Sequence, residues 1–199
     1  MKHDGPYTSG VPKLWNATID AHRNAVREAV LDAAAALVTE RGLAAVTMSQ
    51  IAESSGIGRA TLYKYFPDVE SILRAWHERQ VGAHLAALEQ VRASSAAPGA
   101  ALSSVLHAYG FICHARHGGA LAAMLHSDDG LAEAHRRLRD MVTELVAAAA
   151  SAGEVRGDVP AAELADFCLH ALEAARVLES KAAVARLVAV TTAALQPTT

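Results

Sequence analysis

Apolar residues recur at steps of three and four along almost the whole chain, and no segment alternates apolar with polar residues as a half-buried strand must. Trp15, Ile19, Val26, Val30, Ala33 and Leu37 set this rhythm near one end, and it returns in segment after segment. A chain patterned this way buries its stripes by packing helix on helix. Composition agrees. Alanine, the best helix former, supplies 45 of the 199 residues, and β-branched and aromatic residues are comparatively few. Hydrophobic residues at 52% and charged ones at 20% describe a globular chain, long enough for one or two small domains.

Punctuation residues divide the pattern into about nine helices. Residues 1–11 are rich in Gly, Pro and polar side chains and read as a flexible arm. A first helix is expected from Pro12 to about Arg41, with Gly42 as its left-handed cap. Thr47, with Gln50 three residues on, opens a second that ends at Gly56. A third runs from about Gly58 to Tyr65. Asp68 caps a long fourth, reaching about Ala93. A fifth starts near Pro98 and stops at Gly118-Gly119, a short sixth covers about Ala120 to His126, and a seventh runs from Asp128 to Gly153. The eighth spans about Pro160 to Leu178 and the ninth Lys181 to Leu195. Residues 1–67 are expected to form one domain and 68–199 another.

The segment TMSQIAESSGIGRATLYKYF, Thr47 to Phe66, carries the functional signal. Two short helices joined by a tight turn must touch closely. Ala52 is small where they cross, and Gly56 adopts positive φ at low cost. Ile51, Ile57 and Leu62 are spaced to face a shared core. This is the pattern of a helix-turn-helix, whose second helix enters the DNA major groove. That helix would expose Arg59, Ala60, Thr61, Tyr63 and Lys64. Arg reads guanine edges, the Thr or Ala methyl contacts thymine, and Tyr and Lys hold phosphates.

Together with VLDAAAALVTERG before it and PDVESIL after it, this run resembles the TetR/AcrR family of repressors over about residues 27 to 73. The resemblance implies an all-α protein, with a three-helix DNA-binding domain followed by a helical ligand-binding and dimerisation domain. It implies a homodimer on a pseudo-palindromic operator in double-stranded DNA, released by a small-molecule effector. Carried over position by position, Thr47, Ser49, Gln50, Arg59, Ala60, Thr61, Tyr63, Lys64 and Tyr65 fall where such proteins meet DNA. One position departs: Val69 stands where family members often carry Lys, so one phosphate anchor is absent. Such domains also begin nearer His22 and Arg23. Here Trp15, Ile19 and Val26 share the core-facing stripe, which favours an ordered extension, with Lys13 and Arg23 as candidate contacts to the DNA backbone, over a disordered tail-like segment.

In the second domain the candidates for an effector pocket are Trp76, His107, Phe111, His114, Met124, Met141 and Phe167: aromatic and soft apolar side chains with a few polar ones. The dimer seam is expected on the last two helices, through Leu164, Phe167, Leu172, Ala175, Val184, Leu187, Val188 and Thr191. His114 and His117 share a helix face, but Cys113 points elsewhere and a structural zinc site wants four ligands, so neither metal nor cofactor is expected. The rival reading is a helical metal- or histidine-dependent sensor or enzyme, with histidines as general bases beside Glu173 or Asp166. Against it, the chain has no G-x-S-x-G, P-loop or H-E-x-x-H motif.

Net charge is -3, and the first 66 residues are only mildly basic, so charge alone does not point to nucleic acid. Arg136, Arg137 and Arg139 have acids four residues away (Glu133 for Arg137, Asp140 for Arg136), which reads as a salt-bridged solvent face. Two cysteines make no disulfide framework and are expected as small buried groups. The first 20 residues hold no signal-like apolar run, and no stretch is apolar enough to span a membrane. A cytoplasmic protein is the expectation.

Overall fold

The computed structural model describes residues 13–42, 45–115 and 129–197, with side chains from residue 18 in the first helix and from residue 132 in the sixth. Among them are eight α-helices: α1 (Lys13–Arg41), α2 (Met48–Ser55), α3 (Arg59–Tyr65), α4 (Val69–Ala93), α5 (Pro98–Ala115), α6 (Asp129–Ser151), α7 (Ala161–Glu173) and α8 (Lys181–Ala193). A 3-10 turn, Ala174–Val177, follows α7 directly. The short helix expected at Ala120 to His126 lies outside the described residues. No described helix is long and apolar enough to cross a membrane.

Caps fix most boundaries where the sequence puts them. Gly42 takes φ 79° and donates to Val38 O at 2.9 Å, closing α1. Asp68 Oδ1 accepts from Ser71 N at 2.8 Å, satisfying an orphan donor at the start of α4. Ser180 does the same for α8 through Ala183 N at 3.2 Å. The expected eighth helix differs. It leaves α geometry at Glu173 and tightens into the 3-10 turn, whose end is closed by Leu178 N on Ala175 O at 3.3 Å.

The chain forms two compact units, Met1–His77 and Glu78–Thr199, and α4 runs through both. In the first, α1 packs on α2 and α2 on α3. Val26, Val30, Leu31, Ala34 and Leu37 form the buried stripe of α1. The stripe begins only at Val26. Residues 18–25 are all exposed, Ile19 at 48%, so the expected continuation through Ile19 does not pack. Its register is right, but no described surface lies against that end of the helix.

In the second unit α5 is central, with α6, α7, the 3-10 turn and α8 against it. Its buried face is Ala101, Leu102, Val105, Leu106, Tyr109, Gly110 and Cys113. Cys113 and Cys168 are both buried thiols, and burial pushes Cys168 up to about 11. Glu154, in the loop after α6, accepts from Gly99 N at 2.5 Å and places a carboxylate at the positive end of α5. The polar face of α6 is salt-bridged, with one change of partner. Glu133 takes both Arg136 and Arg137, so Arg136 pairs three residues back rather than with Asp140. That carboxylate is held below its ordinary value because both guanidinium groups hydrogen-bond it. Arg139 reaches across to Asp166 of α7 through two bonds of 2.6 and 2.9 Å.

Gly110 marks the closest approach of α5 to its neighbours. A Cβ there would lie 2.9 Å from Val188 Cγ2 and 3.5 Å from Leu172 Cδ2, on branched side chains of two other helices. Gly110→Val is therefore expected to cost about 1–3 kcal/mol through overpacking. A thermal melt checks this, with each kcal/mol lowering Tm by roughly 2–4 °C for a chain of this size.

Candidate nucleic-acid interface

Thr47 has extended backbone geometry, φ -124° and ψ 155°, and begins α2. Its Oγ1 accepts from Gln50 N at 3.4 Å, while Gln50 Oε1 accepts from Thr47 N and from Thr47 Oγ1, each at 2.9 Å. The capping box anticipated from the sequence is thus complete. It also commits two of the DNA candidates: the oxygens of Thr47 and Gln50 hold the helix start, leaving the Gln50 amide N–H groups as donors. Ser49, between them, is exposed.

Gly56 closes α2 in the left-handed region, φ 69° and ψ 11°, with its N–H on Glu53 O at 3.3 Å. Gly58 O accepts from Thr61 N and Leu62 N, both at 2.9 Å, and so starts α3. Met48, Ile51 and Ala52 of α2 are buried, and Leu62 is the one fully buried side chain of α3. Phe66, 3% exposed, caps α3 through its N–H on Leu62 O, and the Arg27 guanidinium from α1 lies 5.3 Å over its ring. With Leu62 and Phe66 turned inward, Arg59, Ala60, Thr61, Tyr63 and Lys64 face outward, and Tyr65 is half-buried. Arg59 and Lys64 make no ion pair with any described residue, whereas Arg137, Arg139 and Arg156 each meet a carboxylate. Val69 is half-buried.

A small pocket of about 40 Å3 lies within the second unit. It is lined by Val81, His84, Leu85 and Leu88 of α4, Tyr109 and Ile112 of α5, and Ala134, His135 and Leu138 of α6. None of the six expected pocket residues that are described lines it. Trp76 is half-buried in the first unit, and Met141 is buried in the core of the second. His107 is exposed, 4.8 Å from the Phe111 ring, and lines a shallow groove between α5 and α8. His114 meets Ala175 O at 3.3 Å. Phe167 points outward at 46% exposure, and Met124 lies outside the described residues. On α4, Val81, Leu85 and Leu88 share a helix face that His84 interrupts.

Two family models match. One, described as bacterial regulatory proteins of the tetR family, covers residues 30–76. The other, described as the C-terminal domain of SbtR-like transcriptional regulators, covers residues 97–197, just over half of the chain. The chain belongs to the TetR family. It is 43% identical over 51 residues to two Mycobacterium tuberculosis proteins described as uncharacterized HTH-type transcriptional regulators. That match takes in 26% of this chain and spans only about a quarter, 25%, of those relatives' length. The fold is similar to that of a TetR/AcrR family regulator from Thermobifida fusca, with TM-score 0.74 and 19% identity over 83% of this chain and 96% of that one. It is also similar to FadR from Bacillus subtilis in complex with stearoyl-CoA, with TM-score 0.66 and 16% identity over 85% and 99%. TetR-family proteins are regulators rather than enzymes.

Within this TetR-family chain the expected seam residues divide. Leu164, Leu172, Ala175, Val184, Val188 and Thr191 are buried inside the protomer, so they have no surface left to give a partner and belong to its core. Leu187 is half-buried. The large apolar side chains left outside on this face are Phe167 at 46%, Val177 at 82% and Val190 at 69%. The period was read correctly, but it selected the inward side of each helix.

The turn gives a sharp test. No atom lies within 4 Å of a Cβ built at Gly56, so space is not the constraint; the positive φ is. Gly56→Val is expected to cost about 1–2 kcal/mol or more, because a β-branched residue is strained there. Gly56→Asn, which tolerates the left-handed region, is expected to cost distinctly less. Melting curves of the two variants side by side check the difference.

Proposed function

We propose that the protein is a sequence-specific transcriptional repressor. It binds a pseudo-palindromic operator as a homodimer, placing each α3 in a major groove, and a small-molecule effector in the second unit releases it. The observation that carries this reading is the outward face of α3, where Arg59 and Lys64 stand beside Thr61 and Tyr63 without a carboxylate partner among the described residues. Arg136, Arg137, Arg139 and Arg156 of the second unit each meet a carboxylate of this chain, whereas the cations of α3 are open to a partner that brings negative charge. Base edges are read by Arg59 and the methyl groups of Ala60 and Thr61, while Tyr63, Lys64 and Ser49 position the phosphates. α4 carries the effector's influence, since it supplies Ile72 and Leu73 to the first unit and Leu85 and Leu88 to the pocket. A 100-fold loss of operator affinity needs about 2.7 kcal/mol of coupling.

Titrations on operator and scrambled duplexes test the DNA reading. Arg59→Ala is expected to lose about 1–3 kcal/mol of discrimination, and Lys64→Ala to weaken both duplexes alike and lower the salt slope by about one unit. Unchanged binding in both variants would remove α3 as the recognition helix.

The dimer seam is proposed on the outward face of α7, the 3-10 turn and α8, through Phe167, Val177, Leu187 and Val190. A stable seam buries on the order of 1,200–2,000 Å2 in total. Phe167→Glu with Val190→Glu is expected to halve the mass by light scattering and leave the protomer's helical content intact, because both side chains are already in water. A normal dimer mass after both changes would move the seam elsewhere.

A further inference from the structure

We propose that Arg27 is a positioning residue for operator binding: by clamping Phe66 it fixes the axis of α3 and so the aim of the side chains that read bases. This rests on the reading of α3 as the recognition helix. Two fixed points define a helix axis. One is Leu62, the fully buried side chain of α3. The start of the helix adds backbone bonds of its own first turn, with no side-chain cap at Gly58. The second point is Phe66, 3% exposed, which ends α3 on Leu62 O and leads through Pro67 to the cap of α4 at Asp68.

Arg27 reaches that ring from another helix, its guanidinium carbon 5.3 Å from the ring centroid. In this unit α1 packs on α2 and α2 on α3, so the contact ties α1 directly to the end of the recognition helix. Val26 and Val30 beside Arg27 on α1 are buried, which gives its stem a fixed origin. Arg27 itself is half-buried, and attraction between a cation and a ring strengthens as water is withdrawn from it. A guanidinium also offers a plane that stacks on a ring, as an ammonium does not. Groups that read a ligand must be held to within about 0.5 Å by neighbours that never touch it. Freeing Phe66 lets α3 swing about Leu62. That misaims Arg59, Ala60 and Thr61, whose contacts to base edges are directional, while the number of phosphates neutralised stays the same. Arg27 therefore acts on specificity, through Phe66, and not on the charge-dependent part of binding.

The test is a salt series of titrations on the full chain, well below its melting temperature, with two probes: a duplex selected from a random library by the unsubstituted protein, and a scrambled duplex of the same composition. Arg27→Met is expected to lower the ratio of the two affinities about fivefold, or about 1 kcal/mol, with the salt slope unchanged. Arg27→Lys, which keeps the charge and loses the plane, is expected to lower it about twofold. Phe66→Leu is expected to match Arg27→Met, and the two together to lose no more than either, because they remove one contact. Should Arg27→Met or Phe66→Leu fail to fold, the loss in Arg27→Lys still decides. An unchanged ratio in the folded Arg27 variants, whatever their melting temperatures, leaves a purely structural role and overturns the proposal. So does a salt slope lower by about one unit with both duplexes weakened alike, which would make Arg27 a phosphate contact. Additive losses at Arg27 and Phe66 overturn it as well. Arg59→Ala on the same duplexes separates the two readings. A ratio that falls in Arg59→Ala but not in Arg27→Met overturns this inference alone, and one unchanged in both removes α3 as the recognition helix.

Discussion

The outward face of α3 depends on one apolar anchor. A helix of seven residues is far too short to be stable by itself in water, so α3 exists because its neighbours hold it. Leu62 is its only fully buried side chain, worth about 1.5–3 kcal/mol by burial alone. The left-handed Gly56 sets the angle at which α3 leaves α2, and Phe66, covered by Arg27, fixes where it ends. Once Leu62 and Phe66 point inward, the 3.6-residue period turns Ala60, Thr61 and Lys64 outward, while Arg59 and Tyr63 flank the buried side and are exposed. The chemistry of the interface is therefore set by packing on its opposite side.

Charge works at this same local scale. The chain as a whole is acidic, and its net charge gives no hint of a polyanionic partner. What matters is where carboxylates sit relative to cations. Glu133 answers two arginines, Asp166 answers Arg139 and Asp158 answers Arg156, so these four cations of the second unit are spent on intramolecular pairs that contribute little stability in water. The sequence RATLYKY contains no acid. A modest number of unpaired cations on a fixed face outweighs a larger number already paired, because only the former exchange counterions for phosphates.

The features legible in advance were those governed by nearest neighbours in sequence. Thr47 and Gln50 are three residues apart, Gly56 must take positive φ, and Asp68 meets Ser71 three residues on; each device is local, and the structure contains each of them. The failures share a cause of the opposite kind. Periodicity tells which residues of a helix share a face, but not what that face meets. The stripe through Leu172, Val184 and Val188 is apolar because α5 presses on it at Gly110, and only the tertiary contact separates that role from a seam between protomers. Ile19 continues the α1 stripe in register yet is exposed, because no surface among the described residues lies against it. The pocket escaped for the same reason: Val81, His84 and Leu85 become a wall only when Tyr109 and Leu138 arrive from two other helices.

The two walls of that pocket differ in how firmly they are held. α5 is pinned on its far side, where Gly110 brings it against Leu172 and Val188 and where Leu106 and Cys113 are fully buried. Close-packed interiors transmit displacement rather than absorb it, so this wall has nowhere to move. On α4, by contrast, Val81, His84 and Leu85 are only half-buried, and Leu88 is the one residue of the lining there that is fully covered. Under the proposed function, a ligand that widens the pocket displaces the less constrained wall. That wall is the helix whose first turns bury Ile72 and Leu73 in the unit that carries α3. A differential interaction of a few kcal/mol at the pocket then has a rigid element through which to act, as a shift between two packed states requires.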